Sequence, residues 1–440
     1  MNKITIEIII TTFIRFSKKI KAYIKDFIHI PIMLKKNMEA TEAFLYFILL
    51  KEAWPAAAKN FIPQINFSES SIYDIYNKYI QKFQPNTLSK KINLMLVQLA
   101  ENLPELSLDE RISLFEEAIH YRSESLPLIY SRYITFMARF GHDDHILLEI
   151  CNRFKDFSGN AWDKNCEYGW LYYIALLLRN KEEHYASKIL KKFIYTYGPY
   201  KISSFPHIAN FAKKCGIRTH LISDSSFLFD YMQNLNGEKI LKKYLLNKRI
   251  AVVGSSFLEI NQNNGNKIDS NDIIIRVNHT PHPDYYSDFG KKTSIITYGL
   301  SSKINFYIPE DSIFAIEIEG IERHPLSKYN IKKFVKLAKL NKIIFPSLKS
   351  IYEIMSLSSY TQFSSGIMTI AYFEHITKSL TYENIYGFTH LLNGDYTQYG
   401  ELPQYHFYAA RSDDPRGNTL FHAHSLKRER EFLKKILWKG

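Results

Sequence analysis

Glycine is scarce, at 17 of 440 residues, and no G-x-G-x-x-G opens the first strand-like run. A dinucleotide-binding fold therefore lacks its fingerprint. Cysteine is scarcer still. Cys151, Cys166 and Cys215 form an odd, widely spaced set without any C-x-x-C. That excludes a disulfide framework and a cysteine zinc site, and it predicts reduced core thiols in a cytosolic protein. No zinc finger, RNA-binding signature or long Lys/Arg block is present, so nucleic acid is not the expected partner. Long apolar runs are missing too. Residues 4–14 are apolar but short, and Glu7 interrupts them, so neither a signal peptide nor a spanning helix is expected.

Aromatics are abundant. With 31 Tyr, 30 Phe and 46% hydrophobic residues, the chain can bury sizeable cores in more than one domain and is not disordered. A net charge of +13 calls for an acidic partner, either anionic lipid or a phosphorylated or acidic sugar. Phe13, Phe16, Ile20, Tyr23, Ile24, Phe27 and Ile28 recur at helical spacing, with Lys18, Lys19, Lys21 and Lys25 mostly elsewhere on the wheel. Such a basic amphipathic helix, within residues 1–38, can lie on an anionic inner-membrane face or dock on the protein's own core. Lys434, Lys435 and Lys439 around Phe432, Ile436, Leu437 and Trp438 offer the same two options at the other end.

Residues 39–235 carry helical periodicity around 44–50, 112–119, 128–140 and 170–193, with short polar breaks. Trp170, Tyr173, Leu177, Ala186 and Leu190 stand roughly where a tetratricopeptide repeat places its packing residues, so an all-α helical-repeat domain is expected. Stacked helix pairs can bind a protein partner or serve only as scaffold. After a turn-rich break at 234–237, residues 236–440 alternate strand and helix. Strands are expected at 250–253, 273–277, 294–297, 313–318, 343–345 and 385–386, and helices at 331–340, 347–356 and 366–380. This alternation predicts an α/β domain, a Rossmann-like, mostly parallel sheet sandwiched by helices.

Polar residues gather where those strands end. Gly254, Ser255 and Ser256 follow a β-branched run and offer amides and hydroxyls to a phosphate or ribose. Arg276 ends a strand expected to be buried, so it needs a partner, which Asp269 or Asp272 can supply. Ser364, Ser365 and Gly366 precede a helical run, where free amides and the positive dipole end favour an anion; a plain serine cap is the simpler reading. An imidazole can act as a general base near neutral pH, and His422 and His424 offer two candidates close together.

The stretch V-V-G-x-S, I-D-S-x-D-x-x-x-R-x-N-x-x-P and D-x-G-x-K-T, across residues 252–293, resembles the large motif of the metal-independent sialyltransferases, glycosyltransferase family 29. Phe363-Ser364-Ser365-Gly366, a helix and then Tyr386-Gly387-Phe388 resemble the small motif. His406-Phe407-Tyr408 resembles the third, and His424 with Glu429 five positions on resembles the last. The resemblance implies a GT-A-like sialyltransferase fold and an inverting transfer of sialic acid from CMP-sialic acid to a glycan hydroxyl. No metal or other cofactor is required, and no D-x-D signature contradicts that. By resemblance Asn278, with Gly254, Ser255, Ser256, Ser364, Ser365, Gly366, His406 and Tyr408, holds the donor, and His424 is the base.

Departures accompany it. Ser255 replaces the usual Asn, Phe257 the second Gly and Phe363 the usual Pro, while Ile250 and Leu380 stand in the places of the motif cysteines. No N-terminal membrane anchor of the kind secreted-pathway members carry is expected. These differences fit a bacterial, cytoplasmic member, peripheral on the inner membrane, that builds capsule or lipooligosaccharide. A CMP-Kdo-dependent transferase of the same fold is the nearest alternative. A helical-repeat adaptor with an inactive transferase-like domain is the alternative of another class.

Overall fold

The computed structural model describes residues 96–97, 100–101, 106–120, 126–156, 162, 165–256, 259–299, 312–359, 363–388 and 426–437. All of them belong to one compact unit, Leu88–Gly440. The expected basic helix within 1–38 lies outside the described residues, as do His406, Tyr408, His422 and His424.

The first part is helical: α1 Leu108–His120, α2 Leu126–Phe140, α3 Asp144–Lys155, α4 Glu167–Arg179, α5 Glu183–Tyr197, α6 Pro206–Lys214, α7 His220–Asn234 and α8 Gly237–Leu245. The continuous period expected at 170–193 is two helices. Lys181, in the left-handed region at φ 62°, turns the chain between α4 and α5. Trp170, Tyr173, Leu177, Ala186 and Leu190 are all buried across that helix pair. Side-chain caps fix the starts: Asp143 accepts from His145 N–H at 2.7 Å, and Thr219 from Ile222 N–H at 3.2 Å. Cys151 and Cys166 are buried thiols as expected. Cys215 is not. It is exposed at the C-terminal cap of α6, where the chain leaves the helix for the glycine turn at Gly216.

Strands and helices then alternate: β1 Ile250–Val253, α9 Gly265–Asp269, β2 Ile273–Val277, α10 Tyr286–Phe289, β3 Ile295–Tyr298, β4 Phe314–Glu317, α11 Lys328–Lys339, β5 Ile343–Ile344, α12 Leu348–Ser356, α13 Ser365–Thr377, β6 Ile385–Tyr386 and α14 Leu426–Leu437. The six strands form one parallel sheet in the order β5-β4-β3-β2-β1-β6. Every residue of β1 and β2 is buried, as strands covered on both faces require.

The two faces have separate cores, set by the two-residue period of a strand. Val252, Ile275, Ile295, Ile316 and Ile385 join Ile354, Ile370 and Phe432 on the face covered by α12, α13 and α14. Ala251, Val253 and Ile274 point the other way, with Ile268 of α9 and Phe289 of α10. On that face Ile296 and Ala315 also meet α11 and Leu228 of α7, so the helical part and the sheet share a core. Fully burying each such aliphatic side chain stabilises the fold by about 1.5–3 kcal/mol. Among the described residues, no helix is long and apolar enough to cross a membrane. The basic end of the chain docks inward: Phe432, Leu433 and Leu437 of α14 are buried, with the Phe432 ring 4.5 Å from that of Phe363.

Candidate active site

Strand order reverses at one place. Chain order runs β1 to β5 in one direction across the sheet, and β6 adds on the far side of β1. A crevice opens beyond the carboxyl ends of the strands at such a switch point. The loops after β1 and β6 meet there. Gly254 N–H donates to Tyr386 O at 2.8 Å, and Ser256 N–H to Gly387 O at 3.0 Å.

Both glycines are needed for that approach. A Cβ on Gly254 would stand 2.6 Å from Gly387 O and 2.9 Å from the Phe388 ring, while Gly387 itself sits at φ 74°. The same ring would lie 2.7 Å from a Cβ on Gly366. Three segments far apart in sequence therefore close around Phe388. Of the β1 loop, Gly254 and Ser256 spend their amides on the β6 side; half-buried Ser255 keeps its N–H unbonded among the described residues.

Asn278 follows β2 in the left-handed region at φ 64°, a conformation that asparagine tolerates. Its N–H donates to Thr297 O at 2.8 Å, yet its carboxamide Oδ1 is buried without a partner among the described residues. A buried acceptor left unpaired is costly, and a donor group on a bound ligand would satisfy it.

Arg276 is buried too, and its partners correct the sequence expectation. Among the described residues no aspartate hydrogen-bonds its guanidinium. Nε donates to Lys292 O at 2.9 Å and Thr293 Oγ1 at 3.0 Å, and one terminal nitrogen donates to Phe289 O and Gly290 O at 2.9 and 3.0 Å. Burial pulls its pKa down to about 10, which leaves it charged at neutral pH. Asp269 works one step away, accepting from Lys291 N–H and Lys292 N–H at 2.9 and 3.1 Å and so shaping the loop whose carbonyls hold the arginine. Asp272 accepts from Arg249 N–H at 2.9 Å instead. These residues hold the β2–β3 connection and thereby aim Asn278.

Ser364 N-caps α13, its Oγ accepting from Ile367 N–H at 3.4 Å. Its own N–H donates to Glu429 Oε1, and its hydroxyl donates to Oε2 at 3.2 Å. Ser364 is therefore engaged by a carboxylate from α14. The first-turn amides of Ser365 and Gly366, which have no intrahelical acceptor, are the groups this turn can offer an anion. Glu429 is wholly buried, and desolvation pushes its pKa up to about 8. No spacing rule links positions 364 and 429; the burial of Phe432, Leu433 and Leu437 is what seats α14 on the core. Thr369 is a second tie that sequence reading missed, its hydroxyl lying 2.8 Å from that of Thr297 and pinning α13 to β3.

A carboxylate cluster borders the crevice at the end of β4. Glu317 accepts from Glu319 N–H at 2.8 Å and Gly320 N–H at 2.9 Å, and burial with the nearby Glu319 charge holds its carboxyl well above the usual range. The Glu319 carboxylate and the Ser365 hydroxyl both crowd the bare Cα of Gly299. Ile250 and Leu380, in the places of the motif cysteines, are buried in one apolar cluster.

Residues 206–313 match the family model of glycosyltransferase family 29 (sialyltransferase). The match runs from α6 through β3 and stops before the Ser364–Gly366 turn. The solved structures include a mammalian sialyltransferase in complex with Gal-β-1-3GalNAc-ortho-nitrophenol. It is 18% identical, with 49% of this chain and 77% of that chain covered, at a TM-score of 0.31. No curated protein sequence matches. The matched segment carries Gly254, Arg276 and Asn278 at the ends of a six-stranded parallel sheet. On that match residues 206–313 are similar to a glycosyltransferase family 29 (sialyltransferase) domain.

Proposed function

We propose that the chain transfers sialic acid from CMP-sialic acid to a glycan hydroxyl with inversion at the anomeric carbon and without a metal. The observation that carries this reading is the meeting of the loop after β1, the start of α13 and the Tyr386–Phe388 segment at the switch point, beside an unsatisfied Asn278 Oδ1. Asn278 binds the nucleotide. The amides of Ser255, Ser365 and Gly366 face the phosphate at the positive end of α13. The acceptor O–H gives its proton to the imidazole of His424 as its oxygen attacks the anomeric carbon. The C–O bond to the phosphate breaks, and its electron pair leaves with CMP, whose phosphate is held by His406, with Tyr408 beside it. The oxocarbenium character of the transition state is stabilised in part by the donor's own carboxylate.

The net charge of +13 suits an anionic donor and an acceptor at an anionic inner-membrane face. The apolar packing of Ile250 and Leu380 removes the motif disulfide and suits a reducing cytoplasm, as in bacterial synthesis of capsule or lipooligosaccharide. The test is CMP release from CMP-sialic acid and from CMP-Kdo, with and without glycan acceptor, and with EDTA. Acceptor-dependent release from CMP-sialic acid, unchanged by EDTA, is expected. Release from CMP-Kdo alone reassigns the donor. Loss restored by a divalent ion refutes metal independence, and no release from either donor makes the domain an inactive adaptor.

A further inference from the structure

A second cleft lies outside the donor crevice, between α4, the start of α5, α6, α7 and the loop that follows β4. It is half open to solvent, with a cavity volume of about 250 Å³. Its charges balance. Arg179 and Lys214 face Glu183 and Glu322, in a protein that otherwise carries a large positive excess. Arg179 is already committed, donating to both carboxylate oxygens of Asp144 at 2.9 and 2.8 Å. A nucleotide or other anion therefore gains little here.

The rest of the lining suits a neutral polyhydroxylated ligand. Phe211 and Phe229 supply apolar faces; Gln233 supplies an amide that donates and accepts, and Asn210, whose Oδ1 already accepts from Ser226 Oγ at 3.0 Å, supplies amide donors. His207 is among the lining residues, with both ring nitrogens buried and unpartnered among the described residues. Burial, reinforced by Arg179, pushes its pKa down to about 3, so the ring is neutral and presents one donor and one acceptor. Convergent neutral donors and acceptors beside aromatic surface are what a sugar ring requires.

Position ties the cleft to the reaction. Glu322 follows Glu319 by three residues, about 10 Å of chain at most. The Glu319 carboxylate borders Gly299 and Ser365 at the donor crevice. The loop is held between the two places: Glu317 grips its start, and Tyr172 of α4 donates to Arg323 O at 2.7 Å.

We propose that this cleft is an auxiliary acceptor subsite, binding a neutral hexose or N-acetylhexosamine unit of the glycan remote from the hydroxyl that reacts. The inference rests on the transferase reading for the identity of its ligand. The test titrates neutral β-linked hexose/N-acetylhexosamine oligosaccharides of two and six units into the full chain, with CMP titrated separately. The hexasaccharide is expected to bind about tenfold more tightly than the disaccharide, and to protect α6 and α7 from hydrogen exchange. Phe229→Ala alters a half-buried position and Gln233→Ala an exposed one, and thermal melts verify that both variants fold. Each is expected to remove most of the hexasaccharide advantage while leaving disaccharide and CMP affinity unchanged. Equal affinity for the two lengths, or an advantage that survives both variants, overturns the proposal. Failure of CMP to bind overturns the transferase reading instead, and hexasaccharide protection of α6 and α7 would still support the cleft.

Discussion

Glu429 should make this protein less stable as pH rises through neutrality. The carboxyl is wholly buried, and its pKa is raised from 4.5 to about 8. Folded, it binds its proton more tightly than the unfolded chain does. The stability this contributes is fully present below about pH 4.5 and is lost as pH rises towards 8, with no further loss well above that. Between pH 6 and 9 the linkage amounts to roughly 2–3 kcal/mol, since each pH unit below the folded pKa is worth about 1.4 kcal/mol. Glu429→Gln keeps an oxygen to accept from Ser364 N–H and an amide to donate to its hydroxyl, so its stability should lose that slope and exceed the wild type near pH 9. Glu429→Ala strands the Ser364 N–H and opens a void, at a cost of about 2–4 kcal/mol at pH 6. Urea denaturation of the three proteins at pH 6, 7.5 and 9 measures all of this. A Glu429→Gln variant with the same pH slope as wild type would refute the argument.

Other expectations follow from the same contacts. Arg276→Lys loses the fork that reaches four oxygens and should cost about 3 kcal/mol or more in denaturation, because a single ammonium cannot serve both sides of the loop. Gly254→Val places side-chain carbon against Gly387 O and Phe388, and should weaken CMP binding at least about tenfold with little change in melting temperature if the loop shifts to accommodate it. His424→Ala should abolish transfer while CMP titration remains normal; full turnover in that variant would move the base to His422.

The strands were legible because buried parallel strands announce themselves. The Ile/Val runs of β1 and β2 end in Gly254 and in Arg276 to Asn278, and their bounds lie where composition changes. The glycines of the crevice were legible only as motif letters. That Gly254, Gly366 and Gly387 share one phenylalanine ring depends on β6 inserting beside β1, which no local pattern states. Helices α9 and α10 escaped notice because the polar stretch that contains them carries too few apolar residues for a helical period. The partner of Arg276 was misjudged for a physical reason. A carboxylate nearby in sequence was available, yet backbone carbonyls of a turn can neutralise a guanidinium's donors as fully, and Asp269 does more by shaping that turn. Glu429 and Ser364 stand 65 positions apart, and only a folded chain brings them together.

The central claim is that a CMP-activated donor sits at the switch point against Asn278. Calorimetric titration of CMP into the wild type and Asn278→Ala tests it most directly. Saturable binding by the wild type, weakened about tenfold or more in an Asn278→Ala variant whose thermal melt shows that it still folds, is the predicted result. Equal affinity in the two proteins would contradict it.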